Sequence, residues 1–196
     1  MNKRTACFYN QFSIFYPLVD VILKPQKKIL FKEVNNLPDG KLLEIGVGNG
    51  AHFWQYKKHE VTGIDTSAAM LETARKNSLP NTVRLMEMDG EALSFEELTF
   101  DYVVLSHVIA VVDDPERLLQ EVHRVLKPQG YVLILNHFTP QNWIRYIDSG
   151  FGIIAKYLHF KSVFHLRHLR ALNRFTLNKE ITIGVASYFK LMIYRK

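Results

Sequence analysis

The chain has 196 residues, 47% of them hydrophobic, with 25 lysines and arginines against 19 acidic residues and a formal net charge of +6. That length suits one sizeable core rather than two, and a single cysteine, Cys7, excludes an internal disulfide and a multi-cysteine metal site. The positive balance points to an anionic partner, which charge alone leaves open between nucleic acid, an acidic lipid surface and an anionic substrate.

Taken in chain order, Phe8, Phe12, Phe15 and Tyr16, then Leu18, Val19, Ile22 and Leu23, form a wide apolar face followed by Lys24, Lys27, Lys28 and Lys32. This predicts two amphipathic helices broken at Pro17 or Pro25, a cap over residues 1–34. From there strands and helices alternate. Lys41 to Ile45 reads as a buried strand, Gly50 to Lys58 as a helix, Val61 to Ile64 as a strand, and Ser67 to Asn77 as a helix opened by Thr66 or Ser67. Thr82 to Met86, Tyr102 to Leu105 and Tyr131 to Leu135 read as further strands, with a helix from Pro115 to Leu126. Past Asn136 come an aromatic-rich helix from Trp143 to Leu158, a basic helix from Ser162 to Leu172, and strands over Thr176 to Val185 and Tyr188 to Arg195 that pair antiparallel.

Such alternation means βαβ units: an α/β, Rossmann-like, doubly wound and mostly parallel sheet with an antiparallel last strand. The expected organisation is one domain over 1–196, with a core at 41–137 and substrate-side helices and closing strands at 138–196. No charged and apolar leader with a cleavage site opens the chain, and no apolar run reaches the roughly 20 residues of a membrane span. The longest, Tyr102 to Val112, is interrupted by Ser106 and His107. A cytoplasmic protein is expected.

Ligands of such sheets sit beyond the carboxyl ends of the strands, at the switch in strand order. The segment Leu43-Glu44-Ile45-Gly46-Val47-Gly48-Asn49-Gly50 follows the first strand, where glycines let backbone approach a ligand closely. Asp65 ends the second strand, nineteen positions after Gly46, where a carboxylate can accept from both hydroxyls of a ribose. Together they point to a nucleoside-bearing cofactor. Gly46, Gly48 and Ala51 also satisfy the looser dinucleotide fingerprint. Glu44, however, suits an α-ammonium or a sulfonium better than a pyrophosphate, which favours S-adenosylmethionine over a nicotinamide. Asp89, after the third strand, is placed to accept from an adenine amino group.

The run of LLEIGVGNG, VTGIDTSAAML, MDGEAL and FDYVVLSHVIAVVDDPERLLQEVHRVLKPQGYVLILNHF resembles the class I S-adenosylmethionine-dependent methyltransferases. The resemblance implies that Gly46, Gly48 and Gly50 line the methionine part of the cofactor and that Asp65 holds its ribose. It places Asp89 and Gly90 against the adenine, Ser106 and His107 beyond strand four, and Tyr9, Glu44, Thr66, Met70 and Glu91 around the same pocket. Closer detail, in SHVIAVVDDPERLL, NHF, LHFKSVFHLRHL and SYFKLMIYRK, resembles the bacterial phosphatidylethanolamine N-methyltransferases, as does the amphipathic opening with Tyr9 and Tyr16.

This implies a phospholipid acceptor and a peripheral, anionic membrane surface on the inner face, to which a basic amphipathic element would dock. The cluster Lys156, Lys161, Arg167, Arg170 and Arg174 adds charge of the same sign, and a guanidinium there matches a phosphodiester. His107 and His137 fall at the carboxyl edge, where either could take a proton from the acceptor. Tyr9, Tyr16 and Tyr188 are candidates to face a methylated ammonium. A small-molecule or quinone-like acceptor is the alternative. No nucleic-acid motif is seen and no metal is expected, His165 and His168 lacking a third ligand. Oligomeric state is left open.

Overall fold

The structure, a computed structural model, describes residues 16–78, 83–137, 169–183 and 189–196, with backbone alone at 16–25 and 137. The described chain runs α1 (Tyr16–Asn36), β1 (Lys41–Ile45), a 3₁₀ turn (Phe53–Gln55), β2 (Glu60–Asp65), α2 (Ala68–Asn77) and β3 (Val83–Glu87). It continues through β4 (Phe100–Ser106), α3 (Pro115–Val125), β5 (Leu126–His137), a second 3₁₀ turn (Arg170–Arg174), β6 (Thr176–Ile183) and β7 (Phe189–Arg195).

The seven strands form one sheet in the order β3-β2-β1-β4-β5-β7-β6. Strands β1 to β5 pair in parallel, and β7 runs antiparallel to both β5 and β6. This is the Rossmann-like arrangement expected, and its order reverses between β1 and β4. The central strands are apolar on both faces, as strands covered by helices on both sides must be. One face carries Leu43, Ile45, Val103, Leu105, Val132 and Ile134 against Leu118, Leu119, Val122 and Val125 of α3. The other carries Leu42, Val104, Leu133 and Leu135 against Leu30 and Val34 of α1.

Local chemistry sets the helix starts. Ser67 caps α2 by accepting from Met70 N, and Asp114 caps α3 by accepting from Arg117 N, with Pro115 at the first helical position.

Several expectations are corrected. Gly50 to Lys58 is a single 3₁₀ turn, bonded Phe53 N to Gly50 O, Gln55 N to His52 O and Tyr56 N to Phe53 O. Gly50 has φ +67°, outside the helical region, and the Phe53 ring occupies the place of its missing side chain; a Cβ there would lie 2.4 Å from Phe53 Cε2. Of the two opening helices, the stretch before Tyr16, with Phe8, Phe12 and Phe15, lies outside the described residues, and the helix that follows passes through Pro25, which is therefore not a break. Pro17 lies in the first turn, where its missing N–H is no loss. Pro25 forgoes one intrahelical bond, while buried Leu30, Phe31 and Val34 hold the following turns on the sheet. Strand β5 starts at Leu126, five residues before its expected start, because Phe100 pairs with Leu126 across a register shift that absorbs Pro128 to Gly130. The described end of the basic helix, Arg170 to Leu172, is a 3₁₀ turn in which the Glu116 carboxylate accepts from Arg170 N and Ala171 N. The expected helix at 143–158 lies outside the described residues, as do Tyr9, Tyr188, Lys156, Lys161, His165, Arg167 and His168.

Candidate active site

A cleft opens where the strand order reverses, at the carboxyl ends of β1, β2 and β4. Its empty volume, open mouth included, is about 740 Å³. One wall is Ile45, Gly46 and Gly48; a second is Asp65, Thr66, Ser67 and Met70; a third is Met88, Asp89 and Gly90. Val108, Val111 and Val112 close the apolar side, and Ser106 and His107 stand at the end of β4.

Close approach of backbone shapes the first wall. Gly46 has φ +75°, and a Cβ on it would lie 2.3 Å from Val108 Cγ2, so any side chain would strain the loop and drive the valine into the cleft. Asp65 is fixed before any ligand arrives: Oδ2 accepts from Gly48 N and Oδ1 from Ser67 N, each at 2.9 Å. Burial pushes its carboxyl above the usual value, against the opposing pull of those N–H donors. Asp89 Oδ1 accepts from Glu91 N at 3.0 Å. His107 has φ +61°, uncommon for a residue with a side chain and a sign of strain that surrounding structure must hold in place. Its N–H donates to Leu135 O at 2.8 Å, and its ring lies 5.9 Å from that of Phe189, edge to face.

Of the sequence-expected residues, the cleft brings together Gly46, Gly48, Asp65, Thr66, Met70, Asp89, Gly90, Ser106 and His107. Gly50, Glu91 and Glu44 stand outside its lining. Glu91 Oε1 accepts from Asp113 N at 2.9 Å and from Asp114 N at 3.2 Å, tying down the loop that leads into α3. Glu44 is 1% exposed and points behind the glycine loop, where it accepts from the Tyr56 hydroxyl at 2.9 Å and pairs with His52 Nε2 at 2.9 Å. Burial and then the Glu44 charge hold the Tyr56 hydroxyl well above its ordinary pKa, and Phe31 of α1 packs on both rings. Tyr16 and His137 have their backbone at the start of α1 and the end of β5.

Sequence reasoning missed His52 and Tyr56 as partners of Glu44, and the valines that close the cleft. Two signals were present. A carboxylate inside an apolar strand must find hydrogen-bonding partners nearby, and the run Val108 to Val112 is apolar at a position past the end of β4.

A family model for a methyltransferase domain matches residues 43–134. The phosphatidylethanolamine N-methyltransferase of Cereibacter sphaeroides is 41% identical over 167 residues, 82% of either chain. A ubiquinone/menaquinone biosynthesis C-methyltransferase of Desulfotalea psychrophila is 33% identical over 111 residues, 55% of this chain and 45% of its own. Among solved structures, an S-adenosylmethionine-dependent methyltransferase of Thermotoga maritima has the same fold, with a TM-score of 0.73 over 96% of this chain and 98% of that one, at 22% identity.

Proposed function

Because the chain belongs to the S-adenosylmethionine-dependent methyltransferases, we propose that its acceptor is the amine headgroup of phosphatidylethanolamine and of its partly methylated forms, on the way to phosphatidylcholine. The similarity to the Cereibacter enzyme carries this reading, because it extends well past the cofactor-binding half to 82% of the chain. A quinone-like or other small-molecule acceptor is the second reading; the Desulfotalea relative that supports it matches 55% of the chain.

The cleft suits the cofactor, which supplies an electrophilic methyl group on a sulfonium. Backbone at Gly46 and Gly48 would take its methionine part, the preset Asp65 carboxylate the ribose hydroxyls, and Asp89 with Gly90 the adenine. Gly50, Glu44 and Glu91 would shape this side from outside the lining, and Tyr9 would cover it. The chain's main task is alignment of an in-line displacement and exclusion of water. The lipid ammonium first gives up a proton, since only the neutral amine has a lone pair; His107, His137 or water takes it. The cleft would hold the neutral nitrogen in line with the methyl group that the bound cofactor would supply, and the nitrogen would leave as a methylated ammonium. Tyr9, Tyr16 and Tyr188 are the candidate aromatic faces for that cation.

Docking is proposed to be peripheral, on an anionic, cytoplasm-facing membrane surface. Among the described residues no helix is long and apolar enough to cross a membrane. Trp54, on the first 3₁₀ turn, is 68% exposed, with Lys57 Nζ 5.5 Å from its ring centre. Asn35 of α1 binds this segment through Gln55 O and Lys57 N, and exposed Lys28 and Lys32 precede Asn35 on the same helix face. A tryptophan among lysines fits the interface of an anionic bilayer.

The deciding experiment is incubation of the protein with methyl-labelled S-adenosylmethionine and phosphatidylethanolamine-containing anionic vesicles, followed by lipid separation. Label in mono-, di- or trimethylated lipid is expected. Cofactor binding without lipid label, together with turnover of a quinone or soluble amine, would replace this reading by the second.

A further inference from the structure

Among the described residues, Ser106 and Asn136, at the carboxyl edge of the central strands, carry buried polar atoms without a hydrogen-bond partner. Ser106 ends β4 and lines the cleft, and its Oγ is one of them. Asn136, next to last in β5, is 0% exposed, and neither Nδ2 nor Oδ1 is bonded. A primary amide sealed from water with its donor and acceptor both unmet is a large uncompensated desolvation. Leucine, of similar bulk, would sit in this apolar strand without it, so packing does not account for the asparagine.

Its position suggests what does. Ser106 pairs with Leu135, and His107 N bonds Leu135 O. Asn136 is therefore one residue further along β5, beside the strained, cleft-lining His107. On its other side it pairs with Lys190 of β7, whose ammonium is held by Glu180. Unmet buried polar groups and a strained backbone, gathered at one strand edge, mark a site that a ligand completes.

We infer that Asn136 is the contact for the methyl-accepting headgroup, Oδ1 accepting an N–H of the unmethylated or monomethylated amine while Nδ2 donates to a headgroup oxygen in every acceptor, with Ser106 Oγ a further contact from the cleft wall. This rests on the proposed amine acceptor. The chemistry favours an amide over an acid. A carboxylate beside the nitrogen would stabilise the ammonium, raise its pKa and withhold the lone pair, whereas a neutral amide orients the amine without holding its proton.

The test compares wild type with Asn136→Leu, Asn136→Asp and Ser106→Ala, using methyl-labelled S-adenosylmethionine and phosphatidylethanolamine vesicles, with cofactor affinity and melting temperature measured beside the kinetics. Asn136→Leu is expected to melt higher, to bind S-adenosylmethionine as wild type does, and to lose about tenfold to a hundredfold in kcat/KM for lipid. Asn136→Asp keeps the shape and is expected to shift the acidic limb of the pH–rate profile upward; the titratable groups beside it on the strands, His107, His137 and the Lys190–Glu180 pair, are the same in both proteins. Ser106→Ala is expected to lose less, about threefold to tenfold. Wild-type lipid methylation with unchanged lipid kinetics in Asn136→Leu and an unshifted profile in Asn136→Asp overturns this inference alone. No lipid methylation by wild type overturns the proposed acceptor, and this subsite with it.

Discussion

The two sides of the cleft differ in how their polar groups are settled. On the proposed cofactor side, Asp65 is held by two backbone N–H groups, Asp89 by Glu91 N, and Glu44 behind the loop by Tyr56 and His52. There, among the described side chains, His52 Nδ1 is left over. On the β4–β5 side, Ser106 Oγ and both amide atoms of Asn136 have no partner among the described residues, and His107 sits at positive φ. The contrast separates a cradle organised in advance from an edge that the fold maintains at a cost. On the proposed assignment, preorganisation would lower the penalty for binding a cofactor used in every turnover, and the unpartnered groups on the other side would be met by the acceptor.

Gly46→Ala should disturb the cradle most. With φ +75° and Val108 in the way, S-adenosylmethionine affinity is expected to fall about a hundredfold or more, read by calorimetry, and the melting temperature should fall with it. Wild-type affinity would show that the loop is not preformed.

Asp65→Ala removes a charged acceptor and leaves Gly48 N and Ser67 N without their partner, so affinity should fall about tenfold to a hundredfold. The same carboxylate predicts a pH dependence. Because burial raises its pKa in the folded chain, its contribution to stability is fully present below the ordinary carboxylate value and is lost as pH rises through the raised one. Cofactor affinity runs the other way: ribose hydroxyls need the ionised acceptor, so the dissociation constant should increase as pH falls through the raised pKa. A flat profile from the ordinary carboxylate value upward would detach Asp65 from the ribose.

Glu44→Gln sharpens the comparison from behind the cradle. It should cost about 1–3 kcal/mol of stability by disturbing the bonds to His52 and Tyr56, while changing cofactor affinity only a few-fold. Unaltered melting with a large loss of affinity would instead put the Glu44 carboxylate in direct contact with the cofactor. Smallest in its effect on the fold is Trp54→Ala. At 68% exposure its removal should leave melting unchanged, yet lower association with anionic vesicles about threefold or more, an effect that weakens in high salt. Equal sedimentation of both proteins with the vesicles would remove this turn from the docking surface.

The features legible in the sequence were those with a local cause. Ser67 and Pro115 mark the starts of α2 and α3, because a short polar side chain satisfies the first free N–H groups of a helix and a proline there has no N–H to leave free. Gly46, Gly48 and Asp65 mark the cleft because a backbone that must approach a ligand, and a carboxylate at a strand end, each need a particular residue type. The apolar runs of β1 and β4 state that both faces are covered, and the alternation of elements states the parallel sheet.

Other features depended on partners distant in the chain. Gly50 to Lys58 contains residues that a helix accepts, and what prevents one is the Phe53 ring packing under Gly50 while His52 and Tyr56 turn to a carboxylate 8 and 12 residues earlier. The length of β5 was set by Phe100 pairing with Leu126, and the continuity of α1 by the sheet beneath it. Nothing near Asn136 in sequence shows that its amide is sealed without a partner, since burial and hydrogen bonding there are decided by β4 and β7 on either side. Backbone conformation and caps are fixed over a few neighbouring residues, so sequence alone determined the cradle. Desolvation and its compensation are fixed by whatever the fold places alongside, so only the tertiary structure decided where Glu44 points and what Asn136 lacks.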